Sequence, residues 1–333
     1  QEIMISEIKL EGFKSFMDGS LILKPFTLLT GLNSSGKSSV IQALLMACRG
    51  LKYGNFLLDD HGTVKELTNI YATEFNIKLI NDKGEIVILH GKDDTQEIDS
   101  SGFSCPELFY SEAGRYGSQN SIKVFNNTVE MDSKGGNLLK CIDTYADMPI
   151  PMNLRHPESQ GETFMFNLQA WLDIISPGIN FTYVLQKLSD QSFSFFDEHR
   201  ATNVGFGLSY ALPVLAVLLR ASLRKDSLVL LENPEAHLHP KGQTEMGKFI
   251  ARCVDSGVNV VVETHSDHLF DGIRLYTKQH EGFETKFISY WFELNKDKNT
   301  EIESITLDSN GKMTGVTPKG FFDQFELDAI NLF

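Results

Sequence analysis

The stretch that decides the fold runs from Phe26 to Met46 and reads Phe-Thr-Leu-Leu-Thr-Gly-Leu-Asn-Ser-Ser-Gly-Lys-Ser-Ser-Val-Ile-Gln-Ala-Leu-Leu-Met. Its first five residues have the length and apolar character of a short buried strand. Its last seven residues begin an apolar helix. Between them, from Gly31 to Ser38, lies the pattern G-x-x-x-x-G-K-[ST]. The stretch therefore predicts a strand, a glycine-rich loop and a helix in immediate succession.

A loop of this kind binds phosphate, because successive backbone N–H groups and the N-terminus of the following helix converge on phosphate oxygens. Glycine at positions 31 and 36 allows backbone angles and a close approach that a Cβ atom would block. The Lys37 ammonium can reach the β- and γ-phosphates, and the Ser38 hydroxyl can ligate Mg²⁺. We therefore predict a nucleoside triphosphate site whose loop residues are Asn33, Ser34, Ser35, Gly36, Lys37, Ser38 and Ser39.

Composition limits the class of protein. The chain has 333 residues, of which 41% are hydrophobic, and this is enough for a sizeable core and argues against global disorder. The first twenty residues lack the layout of a signal peptide, and no apolar run is long enough to span a bilayer. Four cysteines without metal-ligand spacing are typical of free buried thiols in a reducing cytosol. We therefore expect a cytoplasmic protein that does not use a membrane.

The charge of the chain bears on nucleic acid as a partner. The formal net charge of −14 argues against non-specific nucleic-acid binding, which needs clustered Lys and Arg. The basic positions Arg220, Arg224 and Lys225 are few and are typical of a solvated helix face. Nucleic acid stays open as a partner only through a local basic groove, for example across a dimer.

The order of predicted elements indicates an α/β protein. Strands are expected over 3–10 and 21–23 and in a hairpin over 75–89, whereas the polar residues 92–102 predict a loop. An apolar helix is predicted over 207–224. From residue 226 onward strands and helices alternate, and this alternation predicts a parallel sheet with helices packed on it.

Two further motifs follow strands of that region. Ser227–Glu232 is an apolar strand that ends in a carboxylate, the kind of acid that holds Mg²⁺ in P-loop proteins. Val258–Glu263 is a buried strand that delivers His265 to its carboxyl end, where α/β sheets bind ligands. A histidine there can hydrogen-bond a γ-phosphate or an attacking water. The local alternative is a cap, with Ser266 beginning the next helix.

These three motifs together resemble the ABC-type ATPases, and within them the soluble branch that includes the structural-maintenance-of-chromosomes (SMC) proteins, the RecF proteins and the overcoming-lysogenisation-defect ATPases. The resemblance covers most of the chain. It is strongest for bacterial AAA-family ATPases found in anti-phage defence operons and mobile elements. Three strings carry that likeness: Glu-Asn-Pro-Glu-Ala-His-Leu-His-Pro from Glu232, Glu-Thr-His-Ser from Glu263, and Gly-Phe-Phe-Asp from Gly320, which belongs to a C-terminal region of unknown function.

The resemblance implies an α/β fold of the ABC-ATPase type, with a mixed sheet, an antiparallel β subdomain, a helical signature subdomain and a small C-terminal extension. It implies a single ATPase domain over 1–333. Its approximate parts are an N-terminal lobe with the glycine loop (1–60), the β subdomain (61–105), the helical signature subdomain (106–225), the lobe with the acid strand and the switch histidine (226–295) and the C-terminal extension (296–333).

Two groups of residues near the nucleotide follow only from the resemblance. Ile8–Phe16 is similar to the family's N-terminal strand and turn, whose Lys14 and Ser15 would approach the nucleotide. Tyr110–Arg115 falls where the family's Q-loop strand ends, and Arg115 is the candidate residue there.

The resemblance also implies a homodimer or a higher even oligomer. Asn203–Pro213 stands where the family's signature motif belongs, and it keeps Gly205, Gly207 and Ser209 at a helix start although it departs from Leu-Ser-Gly-Gly-Gln. In the family, ATP lies between the glycine loop of one chain and the signature motif of the other. The charges of ATP and Mg²⁺ then receive donors from both sides, and ATP becomes a removable part of the interface.

Asn233 is a departure from the transporter-type pattern, which carries a glutamate there to polarise the attacking water. An amide can orient a water but is not a base. Either Glu235 or Glu263 supplies the carboxylate, or hydrolysis is slow and the protein is mainly an ATP-controlled clamp. The two histidines that follow, with i, i+2 spacing on a loop, do not favour a metal site. We predict a catalytic set of Lys37, Glu232, Asn233, Glu235 and His265, with Ser38 and Glu232 as ligands of Mg²⁺.

The function implied by the resemblance is that of an ATPase that acts as the sensor or regulatory subunit of an anti-phage defence or DNA-processing complex. Its effector, a nuclease or another toxin, would be a separate protein. The alternative is a nucleotide-gated scaffold or a RecF-like repair ATPase with little turnover. The divergent signature disfavours a transporter subunit, and the scattered acids after His265 disfavour a fused two-metal nuclease. Residues 320–333 have the apolar positions of an amphipathic helix that docks on a partner or on this chain.

Overall fold

The computed structural model describes residues 3–323 and Ile330, with only the backbone of Lys187 and Phe206. The chain divides into two compact units. Gln1–Leu108, Glu284–Asp308 and Met313–Phe333 form the first, and Phe109–Phe283 and Ser309–Lys312 form the second. The finer division into five parts stays a prediction.

The described residues form sixteen strands and seven α-helices. The strands are β1 (Ile5–Phe13), β2 (Phe16–Ile22), β3 (Phe26–Gly31), β4 (Glu74–Asn81), β5 (Ile86–Lys92), β6 (Thr95–Ser100), β7 (Glu107–Ser111), β8 (Ile122–Lys123), β9 (Phe181–Gln186), β10 (Gln191–Phe196), β11 (His199–Arg200), β12 (Ser227–Glu232), β13 (Asn259–Glu263), β14 (Phe287–Leu294), β15 (Thr300–Leu307) and β16 (Met313–Thr314). The helices are α1 (Lys37–Tyr53), α2 (Val64–Leu67), α3 (Leu138–Tyr145), α4 (Phe164–Ile175), α5 (Phe206–Ala221), α6 (Pro240–Asp255) and α7 (Asp267–Gln279). Within the described part of the chain, none of these helices is long and apolar enough to cross a membrane.

The first unit contains an antiparallel sheet in the order β2-β1-β4-β5-β6. The predicted hairpin over 75–89 is confirmed, because β4 and β5 pair antiparallel from Glu74 opposite Lys92 to Ile80 opposite Ile86. The loop predicted over 92–102 is wrong, since β6 continues the ladder by pairing with β5. The backbone of an edge strand can form its hydrogen bonds with polar or with apolar side chains. A polar sequence therefore does not reveal that β6 is a strand.

The first unit also holds the strand that precedes the glycine loop. All six residues of β3 are buried, and β3 pairs in parallel with β14, from Phe26 opposite Phe287 to Gly31 opposite Phe292. On its other side β14 pairs antiparallel with β15. Parallel and antiparallel pairs therefore occur together, as expected for a mixed sheet.

The second unit holds the strand that ends in Glu232 (β12) and the strand that precedes His265 (β13). β12 and β13 pair in parallel, and Glu232 stands opposite Glu263 at their carboxyl ends. The predicted apolar helix is confirmed as α5, which is buried almost throughout its second half. A smaller antiparallel set, β8 to β11, centres on β10.

One basic residue was misplaced by the sequence analysis. Arg220 does not lie on a solvated face: it is 1% exposed, and its guanidinium donates to both carboxylate oxygens of Glu130 at 2.6–3.1 Å. It also lies over the Tyr145 ring at 4.3 Å. A buried arginine of this kind needs a carboxylate partner, so Arg220 is part of the interior rather than of a basic groove.

The cysteines also differ from expectation. Cys141 and Cys253 are buried free thiols, as predicted, whereas Cys48 and Cys105 are half-buried and lie with their sulfur atoms 2.7 Å apart. The two cysteines are 57 positions apart along the chain, so their spacing in the sequence does not reveal the pair.

The C-terminal Gly-Phe-Phe-Asp string packs on its own unit. Phe321 is 1% exposed, and its ring centroid lies 6.1 Å from that of Trp291 on β14. Of the amphipathic helix predicted over 320–333, residues 324–329 and 331–333 lie outside the described residues.

Candidate functional site

The glycine loop has the backbone that its sequence demands. Gly31 and Gly36 have φ values of 140° and 107°, and Ser34 has a φ of 60°. A Cβ atom on Gly31 would collide with the carbonyl oxygen of Phe292, and one on Gly36 would lie 2.6 Å from Oγ1 of Thr300. Positive φ and close backbone approach together account for glycine at both positions.

Lys37 lies inside this loop. It is 3% exposed, and its ammonium donates hydrogen bonds to the carbonyl oxygens of Gly31 at 3.2 Å and Leu32 at 2.7 Å. The loop therefore holds a positive charge against its own backbone at the N-terminus of α1, which is where a phosphate group would be bound. This arrangement fits a nucleotide.

The remaining loop residues divide into two classes. Asn33, Ser34 and Ser38 are exposed, whereas Ser35 and Ser39 are buried. The Ser35 hydroxyl donates to the carbonyl oxygen of Leu32 at 2.7 Å and so closes the loop on itself. We conclude that the Ser35 side chain supports the loop, and that any ligand contact from this residue comes from its backbone.

The turn that carries Lys14 and Ser15 lies against the same loop. Oγ of Ser15 is 2.7 Å from Oγ1 of Thr300, and Oγ1 of Thr300 is 2.8 Å from the carbonyl oxygen of Ser35. Lys14 donates from Nζ to Oε1 of Gln42 on α1 at 2.8 Å. The structure thus places Ser15 beside the glycine loop and Lys14 against the helix that follows it, and their approach to a nucleotide stays a prediction.

In the second unit, the carboxylate of Glu232 is engaged by residues 110–115. The Tyr110 hydroxyl donates to Oε1 at 3.0 Å, and the backbone N–H of Ala113 donates to Oε2 at 2.9 Å. Arg115 is 3% exposed and donates to the carbonyl oxygens of Glu232 at 2.7 Å and Asn233 at 2.8 Å. In this structure the Q-loop candidate Arg115 therefore binds the main chain of the acid segment.

Asn233 adopts a left-handed backbone with a φ of 45°, and its N–H donates to the carbonyl oxygen of Glu263 at 2.8 Å. Asparagine enters this region at lower cost than most side chains. The residue therefore also forms the turn after β12.

Glu235 is the buried acid of the site. It is 7% exposed, its Oε1 accepts a 2.6 Å hydrogen bond from Oγ1 of Thr264, and its Oε2 is buried without a hydrogen-bond partner among the described residues. Burial raises the pKa of the Glu235 carboxyl above its ordinary value, although hydrogen bonds from Thr264 and from the backbone of His265 lower it in part. A carboxyl with a raised pKa in the loop that follows a parallel strand is suited to proton transfer.

The segment after β13 contains one exposed residue, His265, and one buried helix cap, Ser266. His265 is exposed, while Ser266 is buried and accepts from the N–H of Leu269 at 3.0 Å, which makes it the N-cap of α7. The cap expected as the local alternative is therefore present and leaves His265 accessible.

The signature segment lines a cavity of about 480 Å³ with Gly205, Gly207, His237, His239 and Lys241 among its walls. The N-termini of α5 and α6 both reach this cavity, since Gly205 and His239 are their N-caps. Gly207 packs closely on the backbone of His237, because a Cβ atom on Gly207 would lie 2.8 Å from the carbonyl oxygen of His237.

Two helix N-termini and a lysine at one cavity favour an anion. Ser209 lies elsewhere: its hydroxyl is 3.2 Å from that of Ser118.

Comparison with known proteins decides the family. The family described as AAA ATPase domain matches residues 4–147 and 164–270, which is more than half of the chain. The chain belongs to this family. No curated protein sequence matches the chain.

Several solved structures share the fold of this AAA ATPase domain. An SMC head bound to the C-winged helix domain of ScpA is 14% identical, with 91% of this chain and 98% of that chain covered, and a TM-score of 0.58. An SMC head with an extended coiled coil bound to the C-terminal domain of ScpA, derived from Pyrococcus furiosus, is 12% identical, with coverages of 91% and 96% and a TM-score of 0.57. The SMC head domain from Thermotoga maritima is 12% identical, with coverages of 90% and 98% and a TM-score of 0.50. The SMC-head-like, ABC-ATPase-type fold expected from the sequence is confirmed.

Sequence reasoning missed several residues that support the site of this AAA ATPase domain. Tyr110 was named only as the start of a weakly matched segment, and Gln42 was treated as part of an apolar helix. Thr300 gave no signal, because it lies on a polar strand 265 positions away from the Ser35 that it contacts. Glu235 had a signal, since it is an acid within the string that carried the resemblance.

Proposed function

We propose that this AAA ATPase domain binds ATP with Mg²⁺ and hydrolyses it slowly. The observation that carries the proposal is the glycine loop, where Lys37 is held within the loop at the N-terminus of α1 and Asn33, Ser34 and Ser38 face outward. Backbone N–H groups of the loop and the Lys37 ammonium neutralise the phosphates, with Lys14 and Ser15 beside them. Mg²⁺ when bound supplies charge neutralisation of the phosphates.

The proposed roles in hydrolysis follow the motifs. Ser38 and Glu232 hold the metal, as the resemblance implies. Glu235, whose carboxyl has a raised pKa, accepts the proton of the attacking water in place of the glutamate that Asn233 replaces. Asn233 and the exposed His265 orient that water and the γ-phosphate.

We further propose that ATP joins two copies of the chain. The cavity lined by Gly205, Gly207 and Lys241 offers an anion two helix N-termini and an ammonium group, and it would receive the γ-phosphate of ATP held by the second copy. Ser209 enters the proposal only through its place in the signature segment. A dimer of this kind is controlled by nucleotide, because the interface is completed by ATP and lost on hydrolysis.

The biological role that we propose is that of a nucleotide-controlled sensor or regulatory subunit in an anti-phage defence or DNA-processing complex. The effector, a nuclease or another toxin, is a separate protein. Two observations support a protein partner. Two similar structures are SMC heads bound to a domain of another protein, ScpA. The strings from Glu232, Glu263 and Gly320 resemble those of ATPases found in defence operons.

A second candidate function is a nucleotide-gated scaffold, or a RecF-like repair ATPase, with little turnover. Asn233 favours it, because the residue after the acid strand carries no carboxylate and has a left-handed backbone. A glutamate at position 233 would be strained by that left-handed backbone. Turnover that disappears in Glu235→Gln while ATP binding persists supports hydrolysis through Glu235, and the absence of turnover in the wild type supports the scaffold.

Nucleotide binding and molar mass test the proposal. A fluorescent, non-hydrolysable ATP analogue with Mg²⁺ should bind the wild type and double its molar mass in light scattering. Lys37→Ala should lose affinity by about 100-fold, the equivalent of about 3 kcal/mol for a charged group. Lys52→Ala, an exposed lysine in the last turn of the same helix, should behave as the wild type. A wild type that binds no analogue would contradict the proposal.

A second variant separates dimerisation from binding. Gly205 is the N-cap of α5, and a Cβ atom there would meet no atom of the described residues within 4 Å. Gly205→Asp should leave the helix intact, since aspartate is a good N-cap, but should place a negative charge where the proposal places a phosphate. We expect analogue binding to persist and the mass increase to be lost. A variant that dimerises as the wild type does would overturn the capping role of the cavity.

A further inference from the structure

The carboxylate of Glu232 is held in one orientation by residues of its own unit. One donor is the Tyr110 hydroxyl, 3.0 Å from Oε1, and the other is the N–H of Ala113, 2.9 Å from Oε2. Each carboxylate oxygen has two lone pairs, so two donors leave acceptor capacity on both oxygens. The carboxylate is therefore oriented, and both of its oxygens can still accept a metal ion.

The main chain next to this carboxylate is fixed from the same segment. The buried guanidinium of Arg115 donates to the carbonyl oxygens of Glu112, Glu232 and Asn233 at 2.7–2.9 Å. The Cζ atom of the Arg115 guanidinium also lies 5.9 Å from the ring centroid of Tyr210 on α5. Both the backbone and the side chain of Glu232 are thus held by residues 110–115, and the Tyr110 hydroxyl restrains rotation of the carboxylate together with the Ala113 N–H.

The placement of Tyr110 suits a fixed donor. Tyr110 lies on β7 and Glu232 on β12, and strands hold a hydrogen-bond geometry more tightly than loops.

We propose that Tyr110 is a positioning residue for the metal, which fixes the Glu232 side chain in the orientation that serves Mg²⁺. The inference rests on the proposed function, in which Glu232 is a metal ligand. Its physical basis is preorganisation: a ligand that is already held loses less side-chain freedom when the cation binds, and so the cation binds more tightly. Tyr110 acts through Glu232 and has no assigned contact with the nucleotide.

The test is the Mg²⁺ dependence of nucleotide binding. Tyr110→Phe removes only the hydroxyl. The fluorescent ATP analogue is titrated into the protein at a series of Mg²⁺ concentrations and in EDTA. We expect the half-saturating Mg²⁺ concentration of Tyr110→Phe to rise about tenfold, the size expected for one hydrogen bond to a charged group. Affinity for the analogue in EDTA should equal that of the wild type.

The matched control is Tyr183→Phe. The Tyr183 hydroxyl donates to Oδ1 of Asp143 at 3.0 Å, so this variant loses a hydroxyl–carboxylate bond of the same length in the same unit. Its half-saturating Mg²⁺ concentration should equal that of the wild type. In a Glu232→Gln background, Tyr110→Phe should have no further effect on the Mg²⁺ dependence, because the group through which it acts is gone.

Three results would overturn the inference: equal Mg²⁺ dependence for Tyr110→Phe and Tyr183→Phe, a Tyr110→Phe defect of the same size in EDTA, or full additivity with Glu232→Gln. Failure of the proposed function gives a different pattern. In that case the wild type itself binds no analogue, or binds it without Mg²⁺ dependence, before any variant is compared.

Discussion

The hydroxyl of Thr264 donates a 2.6 Å hydrogen bond to the carboxylate of Glu235, and both residues are buried. The bond joins the loop after β12 to the end of β13, and Thr264 also accepts from the N–H of Ser266 at 3.0 Å. One carboxylate oxygen of Glu235 is thereby satisfied, while the other is buried and has no hydrogen-bond partner in the part of the chain that the structure describes. Because a buried, half-satisfied carboxylate is costly as an anion, this relationship makes the protonation state of Glu235 matter for both stability and turnover.

Glu235→Gln should change how stability depends on pH. The folded protein raises the pKa of Glu235 above its ordinary value of 4.5, so the stabilisation that it contributes is complete below that value. That stabilisation is lost as the pH rises through the folded-state pKa. We expect the free energy of unfolding of the variant, minus that of the wild type, to increase with pH over this interval. Urea unfolding between pH 4 and about 8 measures the difference. A difference that does not change with pH would contradict the assignment.

Thr300→Val should loosen the glycine loop without touching a ligand. Thr300 is 7% exposed, and its hydroxyl bridges Ser15 and the carbonyl oxygen of Ser35. Valine has the same shape but leaves both partners unsatisfied, which costs about 2 kcal/mol. We expect lower stability in urea unfolding and a several-fold lower affinity for the ATP analogue. Thr306→Val on the same strand is the control, since its hydroxyl bond to Thr314 is exposed. Equal effects of the two variants would argue against a special role for Thr300.

The backbone at Asn233 predicts an order of stabilities. A left-handed φ of 45° disfavours side chains with an ordinary Cβ by about 1 kcal/mol, whereas glycine adopts it freely. Asn233→Ala should therefore be less stable than Asn233→Gly in chemical unfolding. An alanine variant as stable as the glycine variant would show that the turn relaxes to an ordinary φ. The same conformation gives a physical reason why a glutamate is disfavoured at this position.

Cys48 and Cys105 should be the reactive thiols of the protein. The thiols of Cys48 and Cys105 share a hydrogen bond, and this lowers the pKa of Cys105 and raises that of Cys48. With hydrogen peroxide, the two thiols should lose two protons and two electrons to form one disulfide, while the peroxide is reduced to water. Peptide mapping without reductant should find this pair, with the buried Cys141 and Cys253 still reduced. A mixture of other pairs would contradict the arrangement.

Elements that depend on neighbouring residues were predictable. The strand, glycine loop and helix over 26–46 follow from a local motif, and the hairpin over 75–89 follows from alternation around a polar turn. The polar strand β6 was missed because its partner, not its own composition, makes it a strand. Arg220 was misread because helical spacing does not show that Glu130, 90 positions away, supplies the carboxylate that lets an arginine be buried.

The sequence by itself determined the conformation of the glycine loop and the place of Lys37 at the start of α1, since glycines, a short buried strand and a helix start act over a few residues. Only the tertiary structure decided which groups hold the functional side chains. Tyr110 reaches Glu232 across 122 positions and Thr300 reaches Ser35 across 265. Such contacts depend on how distant strands and turns pack together. The residue type alone does not show whether a hydroxyl binds a carboxylate or faces water.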